Sequence, residues 1–353
     1  MIDCGTLSHH LDYLYFYAHI HLPHLIYIIQ NQTNIQESIF CTSLKIILQY
    51  KPPIEHTQKK IIKLQIMAEV TAESLQKQLI SLDTLPTLSS PLENAKRAAS
   101  YKAMDQYFLP LLASKIPEWS KLTIEQFGEV EPLVIGIGSG STVVYAAERL
   151  GEIKKTFGKV LNDLNLICVA TGFQSENLIL HNNLRLGTIA YYPKLALAFD
   201  GADECDPQLN CIKGGGACLL QEKLVALSAE KFIIVADDRK RVPYLSYGWK
   251  IPIEVVNNAP TFVEIQLKKV FGDDLKHCLI RESMPKKAGA VVTDNFNCIM
   301  DIHIGPVKDV KKIHDQLKSI TGVVETGLFP NVNCVAAYFG NSDGSVEEVF
   351  PEK

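Results

Sequence analysis

Residues 195–223, LALAFDGADECDPQLNCIKGGGACLLQEK, constrain the fold more than any other stretch of the chain. An apolar run from Leu195 to Phe199 stops on Asp200. Asp203, Lys213, the triple glycine Gly214–Gly216 and a helix-like segment carrying Glu222 follow. A strand that runs apolar into an acid puts its carboxylate at the carboxyl edge of a sheet, where open α/β folds bind ligands. Three consecutive glycines leave backbone N–H groups bare, and a helix starting there aims its positive end at an anion. Taken singly, Asp-Gly is an ordinary turn, a glycine loop a connector and a helical Glu a solvated residue. Their density in one segment makes a site the better reading.

A second stretch, PLVIGIGSGSTVVYAAERL at 132–150, has the same form. An apolar strand enters Gly136-Ile137-Gly138-Ser139-Gly140-Ser141-Thr142 and a helix follows, which makes an anion cradle. A dinucleotide fingerprint would need a third glycine where Ser141 stands. It would also need a ribose-binding acid about 20 residues on, and the nearest, Asp163, lies in a polar loop. Hydroxyls at Ser139, Ser141 and Thr142 suit a small phosphate monoester better than a pyrophosphate. No Gly-Lys-Ser/Thr is present, so a P-loop is excluded.

The rest of the pattern fits an α/β chain. Strands are expected at 166–170, 187–191, 195–200 and 232–237, with helices near 174–183 and 217–229. This is a doubly wound, mostly parallel, Rossmann-like sheet. Lys240 follows the last of these strands and so also sits at the carboxyl edge. After Pro252 the order becomes strand 251–256, helix 260–271, strands 277–283 and 297–303, helix 307–319 and strand 322–328. That β-α-β-β-α-β order is ferredoxin-like and marks a second, smaller α+β domain. Residues 90–250 plus 329–353 form the catalytic domain, 251–328 the smaller one, and the final strand pair in 334–349 returns to the first. Ser90-Pro91-Leu92-Glu93 reads as a capping box that opens a helix. Trp119 and Phe127 read as packing residues.

Residues 1–66 differ in kind. They hold six of the ten histidines, one glycine and no arginine. The apolar run Leu11–Ile29 is broken by Asp12, His19, His21, Pro23 and His24, which argues against a spanning helix. Without arginine the segment is no mitochondrial presequence, and Met-Ile-Asp-Cys is no secretory start. It reads as an upstream extension without a catalytic role, disordered or not translated. A chain beginning at Met67 is expected to fold and work as the whole does. Residues 67–89 read as a linker.

A net charge of −4 gives no reason to expect nucleic acid or an anionic membrane as partner. The nine cysteines contain no CxxC pair, and the spacing of Cys205, Cys211 and Cys218 is not that of zinc ligands. Reduced thiols in a cytoplasmic protein are expected, with no metal and no cofactor.

A phosphate cradle beside carboxylates, a lysine and bare N–H groups suits proton transfer on a sugar phosphate. Moving a carbonyl between neighbouring carbons needs a base, and a partly buried carboxylate serves because burial raises its pKa. Glu222, among Leu219, Leu220 and Leu224, is the candidate. Lys213 and the N–H groups of Gly214, Gly215 and Gly216 can stabilise the enediolate oxygen. Asp200 and Asp203 can bind sugar hydroxyls and carry protons during ring opening.

The segments GIGSGSTVVYAAERL, TGFQSENLIL, AFDGADE, IKGGGACLLQEKLV, VADDRK, AGAVVTDN, GVVETGLF and YFGNSDGSVE, in that order, resemble the A-type ribose-5-phosphate isomerases, in particular the fungal ones. The resemblance covers essentially everything after residue 90. It implies conversion of D-ribose 5-phosphate to D-ribulose 5-phosphate without a metal, in the non-oxidative pentose phosphate pathway, by a homo-oligomer (dimer or tetramer). Residue by residue it implies that Ser139, Gly140, Ser141 and Thr142 hold the phosphate, with Lys96 reaching toward it. Asp200, Gly201, Ala202, Asp203 and Lys213 to Gly216 would hold the sugar and its oxyanion. Glu222 would take the proton and Lys240 would line the pocket.

Two other classes are compatible with parts of the pattern. A non-catalytic sugar-phosphate sensor would need a DNA-binding module, and residues 1–89 show no basic helix-turn-helix pattern. A CoA transferase or amino-sugar-phosphate deaminase could also place a Glu at this point of a related fold. The KGGG loop with DGAD upstream favours the isomerase.

Overall fold

The computed structural model describes residues 71–119, 131–283, 288–331 and 333–351. The expectations for residues 1–66, for Phe127 and for the Trp119 side chain lie outside the described residues. In chain order the elements are α1 (Ala72–Gln76), α2 (Pro91–Trp119), β1 (Val134–Ile137), α3 (Val143–Asp163), β2 (Ile167–Ala170), α4 (Phe173–His181) and β3 (Leu186–Gly187). Then come β4 (Leu195–Asp200), β5 (Glu204–Cys205), β6 (Cys211–Ile212), α5 (Leu219–Ser228) and β7 (Ala229–Asp237). The next group is β8 (Ile251–Val255), α6 (Pro260–Phe271), β9 (His277–Ile280), β10 (Cys298–His303), α7 (Val310–Lys318) and β11 (Val323–Thr326). Last are β12 (Leu328–Phe329), β13 (Cys334–Gly340) and β14 (Val346–Val349).

Seven strands form the main sheet in the order β14-β13-β7-β4-β1-β2-β3. All neighbours are parallel except the β13–β14 hairpin. From β1 the chain steps outward to β2 and β3, then returns to lay β4 on the other side of β1. The direction of winding therefore reverses between β1 and β4, and the carboxyl ends of those two strands open a crevice.

Both faces of this sheet are covered, so its central strands have no solvent side to spend on polar residues. Ile135, Ile137, Leu197, Phe199, Ile233 and Val235 point into one core, against α2, α3 and α4. The alternate residues Val134, Ala198, Phe232 and Ile234 point into a second core beneath Val225 and Ala226 of α5. The smaller sheet has the antiparallel order β11-β8-β10-β9, with a core of Ile251, Ile253, Val263, Leu267, Ile302 and Leu317.

Three differences from the sequence reading have local causes. The strand expected over 187–191 ends at Gly187, because the amides of Tyr191 and Tyr192 both donate to the Thr188 carbonyl and close a turn. The strand expected over 322–328 is two strands. β11 pairs with β8, whereas β12, past Gly327, pairs with β6 in a third sheet of order β12-β6-β5. Helix α2 does start at Pro91, but Glu93 is engaged elsewhere: it accepts from Lys96 Nζ (2.7 Å) and Tyr145 Oη (2.7 Å).

The segment expected to be a linker is packed. Leu75 and Leu79 are buried in the main core, and the Ile80 carbonyl accepts from the buried Arg149 (2.9 Å). Each such leucine contributes about 1.5–3 kcal/mol on burial. A chain starting at residue 90 should therefore melt at least about 5 °C below one starting at Met67, since 1 kcal/mol moves Tm by roughly 2–4 °C at this size. Equal melting temperatures in a thermal scan would show that this segment does not hold the core.

Candidate active site

The crevice between β1 and β4 is where the two informative stretches meet. Gly138 follows β1, and its amide donates to the Phe199 carbonyl on β4 (2.8 Å). A Cβ at Gly138 would lie 2.0 Å from Asp200 Cγ, so only glycine allows the Asp200 carboxyl to stand there. That carboxyl accepts from the amides of Gly201 (2.7 Å) and Ser139 (3.2 Å). A cavity of about 350 Å³ opens above, walled by Ser139–Thr142, Gly201–Asp203, Lys213–Gly216, Glu222 and Lys240.

Lys213 is the centre of charge. It is 2% exposed, and its ammonium meets Asp200 Oδ2 (3.0 Å), Glu222 Oε1 (3.1 Å) and the Gly201 carbonyl (2.6 Å). Three acceptors match the three protons of an ammonium. Burial would favour the neutral amine, but Asp200 and Glu222 outweigh it and hold the lysine charged. Burial also lifts the Glu222 carboxyl to about 7, against the pull of Lys213 and with the help of Asp200. Burial raises Asp200 in the same direction, again opposed by Lys213. Glu222 Oε2 is buried and has no hydrogen-bond partner among the described residues. A carboxylate with one oxygen held and one free, titrating near neutrality, is suited to taking and returning a proton.

Asp200 does not line the cavity. Its oxygens are used by two amides and by Lys213, so it holds the lysine in place and is not positioned to bind sugar hydroxyls. Asp203 does line the cavity, and it accepts from the Gly215 amide (2.7 Å). Gly214 has φ +99°, a conformation that L side chains rarely adopt. The carbonyls of Gly214 and Gly215 accept from Arg281 (2.9 and 3.1 Å). In a trans peptide the next N–H points the opposite way, so Arg281 turns the amides of Gly215 and Gly216 away from itself.

At the other end of the cavity, Thr142 is the residue before α3, and its hydroxyl makes no bond to its own helix. Lys96, buried in α2, donates to Ser141 Oγ (2.9 Å), which places a cation at the cradle. Lys240 closes the rim, its ammonium 5.1 Å above the Trp249 ring. Among the described residues, no three His, Cys, Asp or Glu side chains gather as a metal-ligand set, and no helix is long and apolar enough to cross a membrane.

Residues 167–344 match the family model described as ribose 5-phosphate isomerase A (phosphoriboisomerase A). The ribose-5-phosphate isomerase of Candida albicans is 48% identical over 262 residues, spanning 73% of this chain and 97% of that protein. That of Saccharomyces cerevisiae is 47% identical over 271 residues, 75% of this chain and 96% of its own length. The chain belongs to the ribose-5-phosphate isomerase A family. Its fold is also that of solved isomerase structures. The Plasmodium falciparum enzyme superposes with a TM-score of 0.60 at 29% identity, over 74% of this chain and all of that one. A D-ribose-5-phosphate isomerase in complex with phospho-erythronic acid gives the same TM-score and identity, covering 73% and 99% of the two chains.

Within this isomerase, several cavity residues escaped the sequence reading. Gln174, at the start of α4, accepts from the Gly140 amide (2.9 Å), and Asp237 ends β7 at the cavity wall. Thr293 and Asp294 come from the smaller domain, and the amide of the adjacent Asn295 exchanges bonds with Gln221 of α5 (2.9 and 3.1 Å). TGFQSENLIL and AGAVVTDN carried the only signal for Gln174 and for Thr293 and Asp294, as shared segments without an assigned role.

Proposed function

We infer that the chain interconverts D-ribose 5-phosphate and D-ribulose 5-phosphate by moving a proton through an enediolate. The buried Glu222, with one oxygen on Lys213 and the other unpartnered, carries this reading. In the open-chain aldose, Glu222 takes the proton from C2 and leaves an enediolate, then returns that proton to C1. The proton of the C2 hydroxyl passes to the C1 oxygen, and the ketose forms. Lys213 and the Gly216 amide stabilise the charge that develops on oxygen, the Gly215 amide being held by Asp203, while Ser139 to Thr142 and Lys96 hold the phosphate. A phosphorylated sugar acid such as the neighbour's ligand has a phosphate at one end and a planar anion at the other, and the cavity offers positive groups at both.

The same reading places the enzyme in the non-oxidative pentose phosphate pathway of the cytoplasm, as a homo-oligomer that uses no metal. Purified chain should turn over ribose 5-phosphate equally before and after treatment with EDTA. Phosphate binding is remote from the reacting carbons, so unphosphorylated ribose should be a far poorer substrate. Thr142→Ala removes a hydroxyl that serves ground and transition states alike, and should mainly raise KM. Equal kcat/KM for ribose and ribose 5-phosphate would refute the phosphate assignment.

A further inference from the structure

The geometry points to Lys223 as a positioning residue that sets the separation of Lys213 and Glu222 from the far side of α5. This rests on Glu222 as the proton acceptor. Lys223 follows Glu222 in α5, is 7% exposed, and faces away from the cavity described above. Its ammonium donates to Glu325 Oε1 (2.8 Å), the Thr326 carbonyl (2.6 Å) and the Leu328 carbonyl (2.8 Å). Those acceptors bracket Gly327, the point where the chain leaves β11 for β12.

Gly327 is bonded on both sides. Its carbonyl accepts from the Lys213 amide (2.9 Å), and its amide donates to the Pro252 carbonyl (2.6 Å). The packing there leaves no slack, since a Cβ on Gly327 would lie 2.3 Å from the Lys213 carbonyl oxygen. The bonds thus form a closed loop: Glu222 and Lys223 in one helix, Lys223 on the 325–328 run, Gly327 on the Lys213 backbone, and the Lys213 ammonium back on Glu222. Cutting the loop at Lys223 frees the 326–328 backbone from α5 and lets Lys213 drift from its 3.1 Å contact.

Burial of Lys223 opposes its charge and Glu325 supports it, so the cage is built around an ammonium that is costly to bury. The other charged or titratable groups facing it are Lys318 and His314 of α7 and Glu222 itself. Around Glu222 the facing groups are Lys213, Lys223, Asp200, Asp203 and the Cys218 thiol. Of these the two lysines favour its charged form, and Lys213, in direct contact, is the stronger. Loss of that contact therefore shifts the Glu222 titration upward.

Lys223→Met in the full chain tests this, because it keeps length and removes the three bonds. Misplacing reacting groups by about 1 Å costs on the order of 100-fold. The variant should therefore lose at least about 10-fold in kcat, keep KM within about 3-fold, and move the acid limb of its kcat–pH profile to higher pH. A variant with native circular dichroism, unchanged kcat and an unmoved acid limb overturns the proposal, even if it melts lower. A raised KM with unchanged kcat also overturns it. Should the methionine variant not fold, Lys223→Gln, which keeps two of the three donors without the charge, is judged by the same readouts. Glu222→Gln run in parallel separates the two readings: if that variant stays active, the base assignment fails whatever Lys223 does.

Discussion

Replacing Glu222 by Gln leaves a folded protein whose kcat for ribose 5-phosphate is at least about 100-fold lower, with KM little changed. The amide keeps the volume of the side chain and still accepts from Lys213 at the position of Oε1. What it cannot do is take a proton at the second, unpartnered oxygen. The same residue should set the acid side of the wild type's pH profile. Burial raises its carboxyl from 4.5 to about 7, so activity should fall on the acid side as Glu222 becomes protonated near neutrality. A Gln variant that keeps more than a tenth of wild-type turnover would show that another group is the base.

Lys213→Met has the larger effect on the whole molecule. It removes the cation that faces the developing oxyanion, which costs on the order of 100- to 1,000-fold in kcat. It also leaves the buried carboxyls of Asp200 and Glu222 without their shared partner, and breaking one side of a buried pair costs about 3–5 kcal/mol. The sign of the pH effect follows. Both carboxyls have folded-state pKa values raised by burial, so the native variant binds protons that the unfolded chain releases. That stabilisation is fully present below the unfolded carboxylate range and is lost as pH rises through the folded values. The destabilisation relative to wild type should therefore be largest near pH 8 and shrink toward pH 5. Urea unfolding at the two pH values measures it, and an equal loss at both would mean that the two carboxyls are not left charged and unpaired.

The parts of the site legible in the sequence are those that chemistry places within one short segment. Gly138 to Thr142, Asp200 to Asp203 and Lys213 to Glu222 each follow an apolar run, and a run ending in polar residues identifies a strand's carboxyl end without reference to distant partners. Asp200 was legible as a site residue but not as a strut. Which group a buried carboxylate meets depends on the 12-residue return through β5 and β6, which no periodicity encodes. Gln174, Arg281, Thr293 and Asp294 were illegible for the same reason, since each is defined by a contact across tens of residues. The division of 322–328 into β11 and β12 was hidden because alternation gives the faces of a strand and never its hydrogen-bonding neighbour. Residues 72–84 carry only two buried leucines among polar neighbours, too few to distinguish a packed turn of helix from a linker.

The run from β11 to β12 belongs to two sheets at once, and this bears on how such an enzyme can be remodelled. A chimaera that took residues 251–326 from one parent and the remainder from another would put its seam beside Gly327, against the backbone of Lys213. The smaller domain is therefore not an exchangeable cassette, because the chain leaving its last strand is bonded at Gly327 to the backbone of Lys213. The turn at 291–294 touches the reaction chamber without supplying a strand to the β12-β6-β5 sheet. Val291 and Val292 can be exchanged there without touching the bonds that hold Lys213 and Glu222.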